Sequence, residues 1–391
     1  MNGGGNGAAM EILMAAGVPR RREGGVAAIM YNLGRELTGL GHRVDYVFYE
    51  DLMTPAEMAG RFRDLRFALR LARLLRKDRK KYSVVNLHAP IGFAYGMLRR
   101  MLAGGEYPPY VMTLHGLEER RLHVMRREVK KGRAWHFSLG NRLWHRIYHA
   151  PRFFLSIKTA DFAHCYSRDV WTLLQLKYDL DSGQVAYVPN GVEERFFLRR
   201  EYDGHKPVRM LFAGTWLDQR GIFYLRDALE ALNKKFPDWT LTIAGAGVEP
   251  ERLKAFFGDA LRDRILVSPV VPADRMPELY AEHDIFVFPS LMEGLPGVLL
   301  EAMATGMPAV TAETCGMVDV VQDDVNGLLI PPADGPALES ALLRLCTDAN
   351  LRQRLGAAAQ ERMRHLTWRA AAGKLERVFA RALQNGHGNG E

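Results

Sequence analysis

The stretch IFVFPSLMEGLPGVLLEAMATGMPAVT, residues 285–311, reads as strand, loop, helix and strand in quick succession. An apolar run at 285–288 meets a Gly/Pro turn. Pro296 then sits where a first helical turn tolerates a missing N–H, and a second short apolar run follows at 309–311. That is a βαβ unit, the building block of a parallel sheet covered by helices. Two glutamates lie inside it. Glu293 precedes the turn and can serve as a helix-entry carboxylate, which the helix dipole favours. Glu301 falls about one and a half turns into the helix, between VLL and AMA, too far in to cap it. An ionised carboxylate held there, away from water, needs a partner, either from the protein or from a ligand.

Working outward, the same alternation of short apolar runs and longer amphipathic segments occurs twice. Strands are expected at 11–15, 43–48, 83–87, 110–114, 162–165 and 185–188, and again at 209–213, 240–244, 265–267, 285–288 and 309–311. Helices are expected at about 335–347, 351–364 and 368–383. The economical reading is an α/β protein of two Rossmann-like, doubly wound domains joined near 190–200. Residues 1–192 form the first and 193–367 the second, with a helix at about 368–385 returning to the first.

A chain of 391 residues, 48% apolar and 25% charged, is long enough for two cores. It shows no uninterrupted apolar run of about 18 residues and no secretion signal, so a cytoplasmic protein, or one lying on the inner face of a membrane, is expected. Cys165, Cys315 and Cys346 are scattered and lack metal-site spacing, which suits a reducing compartment. Charge is uneven: residues 1–200 hold 33 Lys/Arg against 19 Asp/Glu, a balance of +14, and the remainder hold 20 against 26, a balance of −6. The basic half should meet something anionic.

In open parallel sheets ligands bind beyond the carboxyl ends of the strands, and two such crevices facing one another would make an interdomain cleft. After the first strand, Gly24–Gly25–Val26 opens a helix whose free N–H groups suit a phosphate; without a ligand it is a tight turn. The glycine spacing is not that of the GxGxxG dinucleotide fingerprint. His88 and His115 follow two strands, where each would donate to a sugar hydroxyl or phosphate, move a proton, or be a loop histidine bonded to backbone. In the second domain Gly214 turns the chain, and Arg220 precedes Gly221 at a helix entry, placed to pair with phosphate or to be a solvated charge. The N–H groups of Gly294, Leu295, Gly297 and Val298 line the loop after 285–288. A carboxylate such as Glu301 can accept two hydrogen bonds from the vicinal hydroxyls of a ribose. A nucleotide sugar would satisfy all of these groups together.

The ordered set GGV at 24–26, TLHG at 113–116, YS at 166–167, VPNGV at 188–192, AGT…RG at 213–221 and PSLMEGLPGVLLEAMATGMPAV at 289–310 resembles glycosyltransferase family 4, retaining enzymes of the two-domain GT-B fold. The series spans nearly the whole chain, and its E-x7-E element is the most specific part. The resemblance implies transfer of a sugar from a nucleotide diphosphate sugar, UDP- or GDP-linked, to an acceptor hydroxyl. By position, Glu301 would hold the ribose, and Glu293 with the following amides the donor sugar and its phosphate. Arg220 stands where the family usually has lysine on the diphosphate, and Gly24–Gly25 approaches the same phosphate from the other domain. His115 would lie beside the transferred sugar, so His115, Glu293 and Arg220 form the implied catalytic group. Charge on the leaving group would be met by arginine and helix N-termini, with no metal or other cofactor required. One position departs: Thr215 stands where the family commonly has a second diphosphate-binding arginine, and Arg20, Arg21 and Arg22 are candidates to compensate.

The first domain would then hold a saccharide or lipid-linked acceptor. Two basic segments, 61–82 and 120–154, suit contact with an anionic membrane surface, or are solvated helix faces. In the former, Phe62, Leu65, Leu69 and Ala72 are expected on the apolar face. No nucleic-acid recognition motif accompanies the charge. Surface polysaccharide or glycolipid synthesis is the expected role. The alternatives are a nucleotide-sugar epimerase of similar fold and a non-catalytic sugar-nucleotide-binding protein.

Overall fold

A computed structural model describes residues 8–21, 25–102, 106–116, 118–133, 138–200 and 207–386. Gly24, Arg22 and part of the 120–154 segment lie outside these residues. The chain divides into two compact units, one comprising Met1–Glu118, Leu139–Asn190 and Trp368–Glu391, the other Glu119–Ser138 and Gly191–Thr367. Residues 119–138, read from the sequence as part of the first domain, belong with the second unit.

The first unit is built on six parallel strands: β1 (Glu11–Ala15), β2 (Arg43–Val47), β3 (Val84–His88), β4 (Tyr110–Leu114), β5 (Phe162–Cys165) and β6 (Val185–Tyr187). Their spatial order is β2-β1-β3-β4-β5-β6. Strands β3 and β4 are buried on both faces, which is why they read as apolar runs without alternation. One face packs Ile12, Met14, Val84 and Val111 under the helix Gly25–Gly39 and the C-terminal helix Trp368–Gly386, whose Ala372, Leu375 and Phe379 are fully buried. The other face carries Leu13, Val85, Leu87, Met112 and Leu114 under the helix Arg63–Lys77.

That helix buries Phe67, Leu71 and Leu75, spaced at every fourth residue, together with Ala68 and Ala72. Phe62 and Leu69, expected on its apolar face, are each 43% exposed. The buried stripe is offset from the expected one and shares only Ala72 with it.

The second unit has β7 (Val208–Ala213), β8 (Trp239–Ala244), β9 (Ile265–Ser268), β10 (Ile285–Phe288), β11 (Ala309–Ala312) and β12 (Leu328–Ile330), ordered β12-β11-β10-β7-β8-β9. This is the Rossmann strand order, and its direction reverses between β7 and β10. Ligands bind at that switch point because the loops after the two strands diverge to opposite faces and leave a crevice. The loop after β10 is the one that carries Glu293. The short strand β12 is not among those expected from the sequence.

Candidate active site

At the switch point of the second unit, β7 runs into Gly214, whose backbone adopts φ of 122° with open space around it, and the exposed Thr215 follows. A single turn of 3-10 helix, Asp218–Arg220, then leads through Gly221 into the helix Ile222–Lys235. Gly221 has φ of 73°, and a Cβ there would meet the Pro289 carbonyl oxygen at 2.1 Å, so only glycine fits. Leu291 N–H donates to the Gln219 carbonyl at 2.8 Å and joins this loop to the one after β10, and Ser290 Oγ lies 3.2 Å from the same oxygen. Gly316 buttresses the β10 loop from outside, its N–H donating to the Gly294 carbonyl at 2.8 Å.

This stitching brings Arg220 against Glu293. The Arg220 guanidinium donates through Nη1 to Glu293 Oε1, and Ser290 Oγ donates to the same oxygen at 3.0 Å. The two side chains are only 18% and 13% exposed. Arg220 also lies over the Phe288 ring, 5.0 Å from its centroid, and its Nε has no hydrogen-bond partner among the described residues. Burial pushes the Glu293 carboxyl above its ordinary range, while the Arg220 charge opposes the shift.

The helix Gly297–Ala304 is capped by Pro296, so its first-turn amides, those of Gly297 and Val298, have no carbonyl in a preceding turn to bond. Glu301 is the fifth residue of that helix. Its partner is Tyr280, from the helix Met276–Ala281: the fully buried hydroxyl donates to Glu301 Oε2 at 2.9 Å. The sequence left open whether a partner for Glu301 comes from the protein or from a ligand; the fold supplies one. Even so, burial pushes the Glu301 carboxyl up to about 7. Glu301 is partly exposed, and its second oxygen, Oε1, lies 4.0 Å from where a Cβ on Gly297 would stand, beside the first turn of the helix. Arg195 donates to the Ala273 carbonyl at 3.0 Å and tethers the loop that follows β9.

In the first unit, Gly25 opens the helix Gly25–Gly39 with φ of 65° and is exposed. His88, expected in a loop, is the last residue of β3 and only 2% exposed. Parallel register places His88 beside Thr113 and Thr113 beside His164. With the two-residue alternation of strands, Asn86, His88, Thr113, His115, His164 and Tyr166 therefore share one sheet face, the same face that is apolar nearer the strand starts. His88 Nδ1 lies 2.7 Å from His115 Nε2, and Thr113 Oγ1 lies 2.6 Å from His164 Nε2. The Tyr166 ring packs on His115 at 5.0 Å. Burial lowers all three imidazoles, His115 to about 4 and His164 to about 3, so they are neutral at pH 7.

Comparison with known proteins divides the chain near residue 195. The family model described as Glycosyltransferase Family 4 matches residues 23–196, and that described as Glycosyl transferases group 1 matches residues 195–362. The chain belongs to glycosyltransferase family 4. Among its relatives, the amylovoran biosynthesis glycosyltransferase of Erwinia amylovora is 33% identical over 163 residues, 40% of each chain. The UDP-Gal:alpha-D-GlcNAc-diphosphoundecaprenol alpha-1,3-galactosyltransferase of Escherichia coli is 26% identical over 298 residues, 73% of this chain and 71% of the relative. The chain spans 40 to 42% of the length of the first curated relatives it matches. In structure it is similar to sucrose-phosphate synthase from Thermosynechococcus elongatus, with a TM-score of 0.74, 19% identity, and coverage of 95% of this chain and 98% of the other. The GT-B fold expected from the sequence is thus the fold observed for this family member.

Proposed function

We propose that the chain is a retaining glycosyltransferase that moves a sugar from a nucleoside diphosphate sugar to an acceptor hydroxyl in polysaccharide or glycolipid synthesis. The observation that carries the reading is the convergence at one switch point of Arg220, the open amide end of the helix Gly297–Ala304, and the partly exposed Glu301 beside that helix end. Glu301 receives the ribose hydroxyls, because a carboxylate is the natural acceptor for two vicinal donors. Glu293 and the amides of Gly294, Leu295, Gly297 and Val298 hold the sugar and its phosphate. Arg220 and the helix dipole meet the charge that develops on the departing diphosphate, a role that needs no metal. In this reading Gly25 and His115 are the ligand-binding residues of the first unit, Gly25 for phosphate and His115 for sugar. A uridine or guanosine diphosphate sugar is the donor; the name of the Escherichia coli relative specifies UDP-galactose.

The acceptor is lipid-linked, presented at an anionic membrane surface. The supporting observation is a row of exposed apolar side chains on adjoining helical turns, Leu139 at 76%, Leu143 at 59% and Ile147 at 67%, flanked by Arg142 and Arg146. Phe62 packs on Trp144 beside it, and Arg61 stacks on the same indole at 4.0 Å. Such a face loses contact with water favourably when it enters a lipid headgroup layer. Part of the basic charge is less available: Arg70 is paired with Glu57, Lys131 donates to Tyr224 at 2.9 Å, and Arg133 pairs with Asp227 at 2.7 Å. Among the described residues no helix is long and apolar enough to cross a membrane.

Thermal denaturation with uridine, guanosine and adenosine diphosphates and their sugars tests the donor, since a ligand of the folded state raises its Tm. Release of nucleoside diphosphate that requires both donor and lipid-linked saccharide supports transfer. Binding without release under any of these conditions would instead mark a sugar-nucleotide-binding protein, the reading that the uncharged Thr215 favours, and interconversion of the donor sugar without acceptor would mark an epimerase.

A further inference from the structure

The polar patch at the ends of β3, β4 and β5 contains a contact with only two proton arrangements. His88 Nδ1 and His115 Nε2 are 2.7 Å apart, and both rings are neutral at pH 7, so each carries one ring proton and one of the two lies between them. If His115 donated, the proton of His88 would sit on Nε2. That nitrogen is buried and has no hydrogen-bond partner among the described residues. An orphaned N–H in a protein interior is rarer than an orphaned acceptor, because a bare lone pair forfeits less. The arrangement that avoids a buried orphan N–H has His88 Nδ1–H donating to His115 Nε2.

We infer that His88 is a positioning residue that holds His115 as its Nδ1–H tautomer, so that His115 meets the sugar as a hydrogen-bond donor and not as a proton acceptor. The Nε2 lone pair of His115 is occupied by His88, and Nδ1 already carries the proton, so no free basic nitrogen remains. His115 is partly exposed, and its ring orientation is set from two sides, by His88 at 2.7 Å and by the Tyr166 ring at 5.0 Å. His164 engages the Thr113 hydroxyl through Nε2 and makes no hydrogen bond to His115 among the described residues. Asn86 in turn fixes that hydroxyl, its Nδ2 lying 2.8 Å from Thr113 Oγ1. The inference rests on the reading of His115 as the group beside the transferred sugar.

The test uses full-length protein with 15N-labelled histidine rings, in which protonated and bare ring nitrogens resonate apart. His115 is expected with its proton on Nδ1 and His88 with its proton on Nδ1 throughout pH 6 to 8. A proton on His115 Nε2 overturns the inference, with no variant needed. Transfer assays add a second arm. His88→Asn, whose side-chain amide can replace the Nδ1 donor, should retain activity within about threefold, whereas His88→Leu should lose about ten- to a hundred-fold, the range for a partner that orients a functional imidazole. Equal losses in the two variants would overturn the positioning role. If His115→Ala transfers at the full rate, the sugar-facing reading fails while the ring spectrum still decides the tautomer.

Discussion

Arg220 and Glu293, 73 residues apart in the chain, form an ion pair against the Phe288 ring at the point where the second sheet reverses strand order. The cation that the proposed reaction needs for its leaving group is therefore held in place by the carboxylate that the reaction assigns to the sugar. Arg220→Ala leaves Glu293 buried without its counter-charge, whereas Glu293→Gln leaves an amide that can still bond Ser290. Breaking such a partly buried pair costs about 1–3 kcal/mol once solvent access is allowed for. Urea unfolding should show the larger loss for Arg220→Ala, and a loss under about 0.5 kcal/mol in that variant would mean the pair contributes no more than surface charges do.

Glu301 makes stability depend on pH. Its folded value, about 7, lies above the ordinary 4.5, so the folded state keeps a proton that the unfolded state releases. The Glu301 contribution thus worsens as pH rises from about 4.5 to 7 and stays unfavourable above that. Glu301→Gln should raise Tm at pH 8 and change it little near pH 4.5, while weakening nucleotide binding about ten- to a hundred-fold. A Tm gain that is equal at both pH values would contradict the raised carboxyl.

Tyr280 is the partner that holds one oxygen of that carboxylate. Tyr280→Phe removes the bond without changing the ring packing against Phe286 and Phe196. Nucleotide affinity measured by calorimetry is expected to fall and the acid limb of its pH dependence to move to higher pH, because an unsupported buried carboxylate holds its proton more tightly. An unchanged pH dependence would show that Tyr280 does not support Glu301.

Thr215 offers a gain of function. It is exposed beside Gly214, around which the backbone is open, and the family commonly has arginine there. Thr215→Arg should tighten diphosphate binding about tenfold through one charge-assisted contact. Weaker or unchanged affinity would show that the diphosphate does not pass this loop.

The exposed row on the first unit predicts membrane attachment. Leu143→Asp should abolish flotation with vesicles rich in anionic lipid at low salt and leave nucleotide binding unchanged. Flotation equal to that of the parent would show that this face does not hold the protein on a membrane.

Much of this architecture is legible in the sequence because strands buried on both faces read as apolar runs, and β4, β5 and β10 fall where those runs are. Glu293 and Glu301 are legible for the opposite reason, as charges in an apolar context. Their partners are not. Tyr280 looks like one more core aromatic, and only the packing of the helix Met276–Ala281 brings it to Glu301. His164 and Thr113 hide in the same way, although a polar residue at every second position at the ends of three buried strands is a signal that alternation alone could have raised. The strand β12 is three residues long, as is β6, but it lies between turns and has no apolar run beyond Leu328–Ile330 to mark it. The helix Arg63–Lys77 sets Arg63, Arg66, Arg70, Arg73 and Lys77 on one side, so the stripe centred on Phe67, Leu71 and Leu75 is legible in the pattern, and the expected Phe62, Leu65 and Leu69 lie at its edge.

The most direct test of the central claim is calorimetric titration of the protein and its Arg220→Ala variant with uridine and guanosine diphosphates. The account predicts that one of the two nucleotides binds the parent chain in the micromolar range and that the variant loses about a hundred-fold or more, the worth of a charged contact to a diphosphate. Absence of binding by either nucleotide at millimolar concentration, or equal affinity of the variant, would contradict it.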